Sequence, residues 1–187
     1  MVTIVPYQPT WPGEFQTLAK ILREALNDLA LRIDHIGSTS VPGLHAKDRI
    51  DIQITVVSLN SHVEKALNRI GYTRLEHLTD HPPSGSEAQP SQWIKWVFKP
   101  PDNQRPTNLH VRIAGRANQR YALLFRDYLR THPPTVAAYA ELKQRLAQNL
   151  ADPVSYPDVK DPAVDLIYFA ADEWALATSW IPGPADA

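Results

Sequence analysis

One stretch constrains the chain more than any other: residues 31–57, LRIDHIGSTSVPGLHAKDRIDIQITVV. Its first run places Leu31, Ile33 and His35 on one side and Arg32, Asp34 and Ile36 on the other. After a turn, Ile50, Ile52, Ile54 and Val56 alternate with Asp51, Gln53, Thr55 and Val57. Two-residue alternation of β-branched side chains marks a strand with one face in a core. The pattern therefore predicts two strands, the second carrying Asp51 and Gln53 on its outward face. Between them, Gly37-Ser38-Thr39-Ser40 supplies a residue without Cβ, backbone N–H groups and three hydroxyls. Backbone amides approach an anion closely at a glycine, so this turn suits a phosphate or triphosphate.

On the N-terminal side, Pro6, Pro9 and Pro12 push their predecessors away from helix. Residues 13–30 then keep Phe15, Leu18, Leu22, Ala25, Leu26 and Leu29 at helical spacing, with Trp11 as a packing aromatic against them. A second helix is predicted over 61–70, capped by Ser61 with Glu64 three residues on, and ended by Gly71. A strand over 72–78 follows, then a loop over 79–91 whose composition suits a lid or a disordered segment. His77 and His81 flank the loop's start but lack a third metal ligand.

Strands are predicted again at 92–99 and 107–113. The first puts Ile94, Trp96 and Phe98 on one face; the second turns Leu109, Val111 and Ile113 inward and Asn108, His110 and Arg112 outward. If the strands bearing Asp51 and His110 are neighbours, their polar faces share one cleft. The last third is helical, over 118–131, 134–150 and, beyond a Pro-rich link at 152–161, 162–180. Asp161 is the expected N-cap of the final helix, Pro162 its N1 residue, and residues 181–187 should fray. These helices are expected on the sheet face opposite the polar one, or against one end of it, in a single α+β unit. Arg126 and Lys143 are the charges on that third that could reach the cleft.

Composition narrows the function classes. At 187 residues the chain suits one sizeable core, and its 43% hydrophobic and 21% charged residues are ordinary for a globular domain. A net charge of −1 argues against an electrostatically driven nucleic-acid binder. The absence of cysteine excludes disulfides, thiolate zinc sites and cysteine nucleophiles. No secretory leader pattern opens the sequence and no apolar run approaches ~18 residues, so a cytoplasmic protein without a membrane span is expected.

The run HIGSTSVPGL, followed by Lys47 and IDIQITV, resembles the signature of the GrpB family (the UPF0157 group). IVPYQPTWPGEF, NLHVRI and FRDYLRTHPPTVAAYAELKQRL are similar to the same family in the same order, over residues 4–150. The resemblance implies a minimal nucleotidyltransferase-like fold in one domain over 1–187: a mixed β-sheet with helices packed on one side and a helical C-terminal third. In that wider fold, two acids at i and i+2 on one strand and a third from a neighbour bracket two metal ions for nucleotidyl transfer. Asp51 matches the first position, but Gln53 stands at the second and His110 at the natural place for the third. Magnesium prefers hard anionic oxygens, so this set suits one softer ion better than a magnesium pair.

The expected site therefore has Asp51 and His110 in catalytic roles. Gly37, Ser38, Thr39, Ser40, Lys47 and Arg112 would bind phosphate, and Asp51, Gln53 and His110 would hold a divalent metal, magnesium or manganese. Two readings stand side by side: a nucleotidyltransferase, or a non-catalytic nucleotide-binding, phosphometabolite-binding or protein-interaction module with a degenerate site. The family's occurrence fused to dephospho-CoA kinase adds coenzyme A precursors to the ligands such a cleft would be tested against.

Overall fold

The computed structural model describes residues 2–76, 79–85 and 89–187. Strands β1 (Arg32–Ile36), β2 (Ile50–Val56), β3 (Thr73–Leu75), β4 (Trp96–Lys99) and β5 (Thr107–Ile113) form one sheet in the order β1-β2-β5-β4-β3. β2 lies parallel to β5, and every other neighbouring pair is antiparallel. The register sets Asp51 beside Asn108, Gln53 beside His110 and Thr55 beside Arg112, with Asp34 across from Gln53 on the other flank. The architecture is the α+β arrangement the sequence implies, with a mixed sheet and a helical C-terminal third.

Helices α1 (Trp11–Leu26) and α2 (Ser61–Arg69) cover the apolar face. Ile50, Ile52 and Ile54 are buried there against Trp11, Phe15 and Leu22 of α1 and Leu67 of α2. Each such side chain contributes roughly 1.5–3 kcal/mol when fully buried, which is why the alternation decides the strand's orientation. Trp11 packs edge-on to Tyr7 and donates its Nε1–H to Asp48 at 2.8 Å. His35 stacks on Phe15 at 4.8 Å, with Nε2 3.0 Å from Thr39 Oγ1. Burial, helped by Arg130 and Arg126, pushes the His35 pKa down to about 3, so its ring is a neutral packing group.

The C-terminal helices are α3 (Ala117–Thr131), α4 (Pro133–Asn149) and α5 (Tyr156–Thr178), and they build a second core around Leu44, Leu124, Val136 and Ala171. α3 lies across the polar face, where the sequence pattern predicts the opposite face or one end of the sheet. The Gln53 side chain donates to the Gln119 carbonyl at 3.2 Å, and Arg126 comes within 3.9 Å of Asp34. The polar stripe of β2 is thus mostly interior: Gln53 is satisfied by Gln119 of α3 and by Arg112, Asp51 by Asn108, and Thr55 Oγ1 is buried without a hydrogen-bond partner.

Four local expectations also change. Asn60, not Ser61, caps α2, accepting from His62 N at 3.0 Å and Val63 N at 3.3 Å. The link before α5 is only residues 150–155, and α5 starts at Tyr156 after Ser155 rather than at Asp161, running through Pro157 and Pro162; the carbonyl that Pro162 leaves unpaired belongs to exposed Asp158, where water can replace the lost bond. The strand expected over 92–99 is shorter, since residues 90–92 form a 3-10 turn. Residues 183–187 do not fray. Ala187 N donates to Ile33 O at 3.1 Å on the open edge of β1, and Asp186 accepts from His35 N at 2.9 Å and Arg126 Nη1 at 2.7 Å.

The described part of the 79–91 loop is anchored. Asp80 receives Lys95 Nζ at 2.5 Å, Arg112 at 2.8 and 2.9 Å, and Asn118 at 3.1 Å. Ser84 donates to Asp165 through both its N–H and its hydroxyl. His81 is exposed, and His77 lies outside the described residues. No helix among the described residues is long and apolar enough to cross a membrane.

Candidate functional site

A cleft of about 360 Å³ opens where the turn after β1 meets the ends of β2 and β5 and the α4–α5 pair. Its floor is Gly37, Ser38, Asp51 and Asn108; Lys47, Arg49, Lys143 and Lys160 surround it; Phe125, Tyr139, Tyr156 and Val164 form an apolar wall. Gly37 has φ 69° and ψ −170°, backbone that only glycine adopts readily. A Cβ there would lie 2.9 Å from Asp51 Cβ and Cγ and closer still to Oδ2. The glycine therefore lets the turn close directly over the carboxylate.

Asp51 is half-buried in that position. Asn108 Nδ2 donates to its Oδ1 at 2.6 Å, and Arg49 Nη1 donates to Asn108 Oδ1 at 3.0 Å. Burial pushes the Asp51 pKa above the usual carboxylate value, against the opposing pull of Asn108 and Arg49. On the facing helix, Lys143 is buried and donates to Ser38 Oγ at 2.9 Å and to the His45 carbonyl, its ammonium 4.6 Å from the Tyr139 ring centre. Lys47 sits 4.5 Å from the centre of the Tyr156 ring. Burial, with Lys160 and Arg49 nearby, lowers its pKa.

Of the residues expected from the sequence, Gly37, Ser38, Lys47 and Asp51 meet in the cleft. The hydroxyls of Thr39 and Ser40 point into the fold, bonded to His35 and to the Gly37 carbonyl at 2.6 Å. Gln53 is fully buried; its Oε1 accepts from Arg112 at 2.7 Å and its amide donates to Gln119. Arg112 is buried outside the cleft lining and donates to Gln53 and Asp80, so it braces the loop. His110 is not among the cleft residues: it pairs with Gln53, one step beyond Asn108 on β5. Burial, with Arg112 and Lys95 alongside, holds its pKa well below the usual value.

These donors do not fit the expected metal centre. Asp51 has one oxygen on Asn108 and the other against Gly37, Gln53's carbonyl is taken by Arg112, and His110 faces two cations. Among the described residues no group of three or more His, Cys, Asp or Glu gathers as a metal ion needs. Of the two helix charges that could reach the cleft, Lys143 does. Arg126 instead ties the His35 carbonyl to Asp186 and Asp127. Lys160, Tyr139 and Tyr156 carry no sequence signal as site residues, because all three arrive from helices remote in sequence.

The model of the GrpB protein family matches residues 1–169. A protein of Mycolicibacterium paratuberculosis named dephospho-CoA kinase is 39% identical over 197 residues, covering 97% of this chain and 48% of its own length. The chain thus spans about half the length of the curated relatives of that name. A UPF0157 protein of Halalkalibacterium halodurans is 37% identical over 89% of this chain and 80% of its own. Among solved structures, conserved protein GrpB from Enterococcus faecalis superposes with TM-score 0.74 at 28% identity, over 92% of this chain and 99% of that one. Cid1 in complex with its short product ApU superposes with TM-score 0.50 at 11% identity, over 76% of this chain and 43% of that one, a likeness of fold alone. The chain belongs to the GrpB family.

Proposed function

We propose that the cleft binds a phosphorylated small molecule, a nucleotide or a relative of one, with its phosphates held directly by protein cations. The observation that carries this reading is the charge balance: Lys47, Arg49 and Lys160 line the cleft, with Lys143 beside Ser38, against one carboxylate, Asp51, itself tied to Asn108. Charge-assisted contacts from Lys and Arg are the common means of holding phosphate. The wall of Phe125, Tyr139 and Tyr156 gives a base or another flat group a surface to lie on. The fold shared with Cid1, a protein seen with a nucleotide product, is compatible with such a ligand. The names of the longer relatives add coenzyme A precursors to the compounds to try.

Metal-dependent nucleotidyl transfer receives less support, since the paired-acid set is incomplete, Gln53 is engaged by Arg112 and Gln119, and His110 lies outside the cleft. Calorimetry with each nucleoside triphosphate, ADP and dephospho-CoA, with and without EDTA, tests the reading. We expect binding that survives EDTA and weakens on Arg49→Met or Lys160→Met by about 1.5–3 kcal/mol, the worth of a hydrogen bond to a charged group. Absence of binding by every compound sinks it. Pyrophosphate release from a triphosphate in magnesium or manganese would restore the transferase reading.

A further inference from the structure

Lys143 is 3% exposed, yet no carboxylate pairs with it among the described residues. Burying a cation without a counter-ion is costly, and the usual escape is to lose the proton. Burial first, then Lys160, lowers the Lys143 pKa to about 7, against a weaker opposite pull from Asp51. A large fraction is therefore a neutral amine near neutral pH, with a lone pair. With that proton gone, Nζ keeps a hydrogen for the His45 carbonyl and can turn its lone pair to Ser38 Oγ, 2.9 Å away, so the Lys143–Ser38 hydrogen bond reverses its sense. The serine is rigidly presented: it follows Gly37 directly after β1, and Ser40 holds the Gly37 carbonyl through both its hydroxyl and its N–H. A hydroxyl beside a buried, uncharged amine is the arrangement by which a weak nucleophile is activated without a metal.

We propose that Ser38 accepts acyl groups, with Lys143 as its general base, from acyl phosphates and other acyl donors whose leaving group carries phosphate. The donor class rests on the phosphate-binding reading of the cleft; the dyad rests on the Ser38–Lys143 geometry. Ser38 Oγ attacks the carbonyl carbon while its proton passes to Lys143 Nζ, and the carbonyl electron pair moves onto oxygen. When that pair returns, the bond from the carbonyl carbon to the phosphate oxygen breaks and the phosphate leaves with the electrons. Lys143 gives its proton to the departing group. The products are an ester on Ser38 and free phosphate, and water activated by the same amine then hydrolyses the ester. Lys47, Arg49 and Lys160 face this step from the loop and from α5, where they neutralise the phosphate, and Asp51 faces it from β2.

Acetyl phosphate is the discriminating probe, because attack at carbon leaves an acetyl group on Ser38 and attack at phosphorus leaves a phosphoryl group. The whole protein is incubated with it, quenched in acid and mapped by mass spectrometry, with ADP affinity measured on the same samples. We expect an acetyl mass on the peptide carrying Ser38, forming faster as pH rises through about 7. Ser38→Ala, which removes one oxygen, should abolish it. Lys143→Met and Lys143→Arg should both slow it about 100-fold, the scale of a general base, because arginine restores the charge but stays protonated and has no lone pair to accept the proton. A phosphoryl mass on Ser38, acetylation of lysines alone, or full activity in Lys143→Arg overturns the proposal. If ADP still binds in those cases, the phosphate-binding reading survives its loss.

Discussion

Replacing Gly37 by alanine puts the largest local demand on the structure. At φ 69° and ψ −170° the residue occupies backbone space that is nearly exclusive to glycine. Holding a side chain there costs about 1–3 kcal/mol. The new Cβ would also sit 2.9 Å from two carbons of Asp51. Asp51 cannot simply swing clear, because Asn108 holds its Oδ1 at 2.6 Å. Forcing atoms into a packed site costs about another 1–3 kcal/mol, so the sum is roughly 2–6 kcal/mol. A whole domain has only about 5–15 kcal/mol, so the loss is large. Urea denaturation reads it as a lower midpoint at unchanged slope. Repeating the substitution in an Asp51→Gly background, which removes the carboxylate and the Cβ beneath it, should recover the steric share and leave the backbone share, a coupling of about 1–3 kcal/mol. Gly37→Ala within about 0.5 kcal/mol of wild type, or an equal penalty in both backgrounds, would refute the close approach of turn and carboxylate.

The remaining predictions concern the scaffold. Asn60→Ala should cost about 1 kcal/mol through loss of the α2 cap, and Ser61→Ala much less; paired thermal melts decide which residue caps the helix. Asp80 gains acid-sensitive stability: burial alone would raise its pKa, but Arg112 and Lys95 hold it well below the usual 3.8. A lowered folded pKa stabilises fully above the unfolded value, so this share persists at neutral pH and is lost as pH falls from about 4 through the folded value. Denaturation midpoints of Asp80→Asn and wild type should therefore differ most at neutral pH and converge in acid; a constant gap would show that the ion pairs are not its source.

Much of the fold was legible because its causes are local. The alternation in 50–56 needs only the two-residue period of a strand, and the apolar spacing of α1 only the helical period. Helix ends were less legible. Asn60 and Ser61 are both good caps, and the choice between them turns on which backbone angles the preceding loop imposes. Pro162 reads as a helix start, yet α5 carries it six residues past Tyr156 because its packing against α3 and α4 outweighs one missing bond at an exposed position.

The site divides along the same line. Sequence by itself determined the Gly37-Ser38 turn and Asp51 on the following strand, since a turn residue, a hydroxyl and a period-two acid are properties of neighbours along the chain. Tertiary structure alone decided which polar groups stay available. α3 crosses the outward face of β2 and β5, so Gln53 bonds to Arg112 and to the Gln119 carbonyl, Arg112 also bonds to Asp80, and His110 is left to burial between cations. The fold also brought Lys143 across 105 positions of sequence to Ser38, and Lys160 and Tyr156 to the same opening. Whether a polar side chain is a ligand or a brace depends on what packs over it, and that is a long-range property which periodicity does not carry.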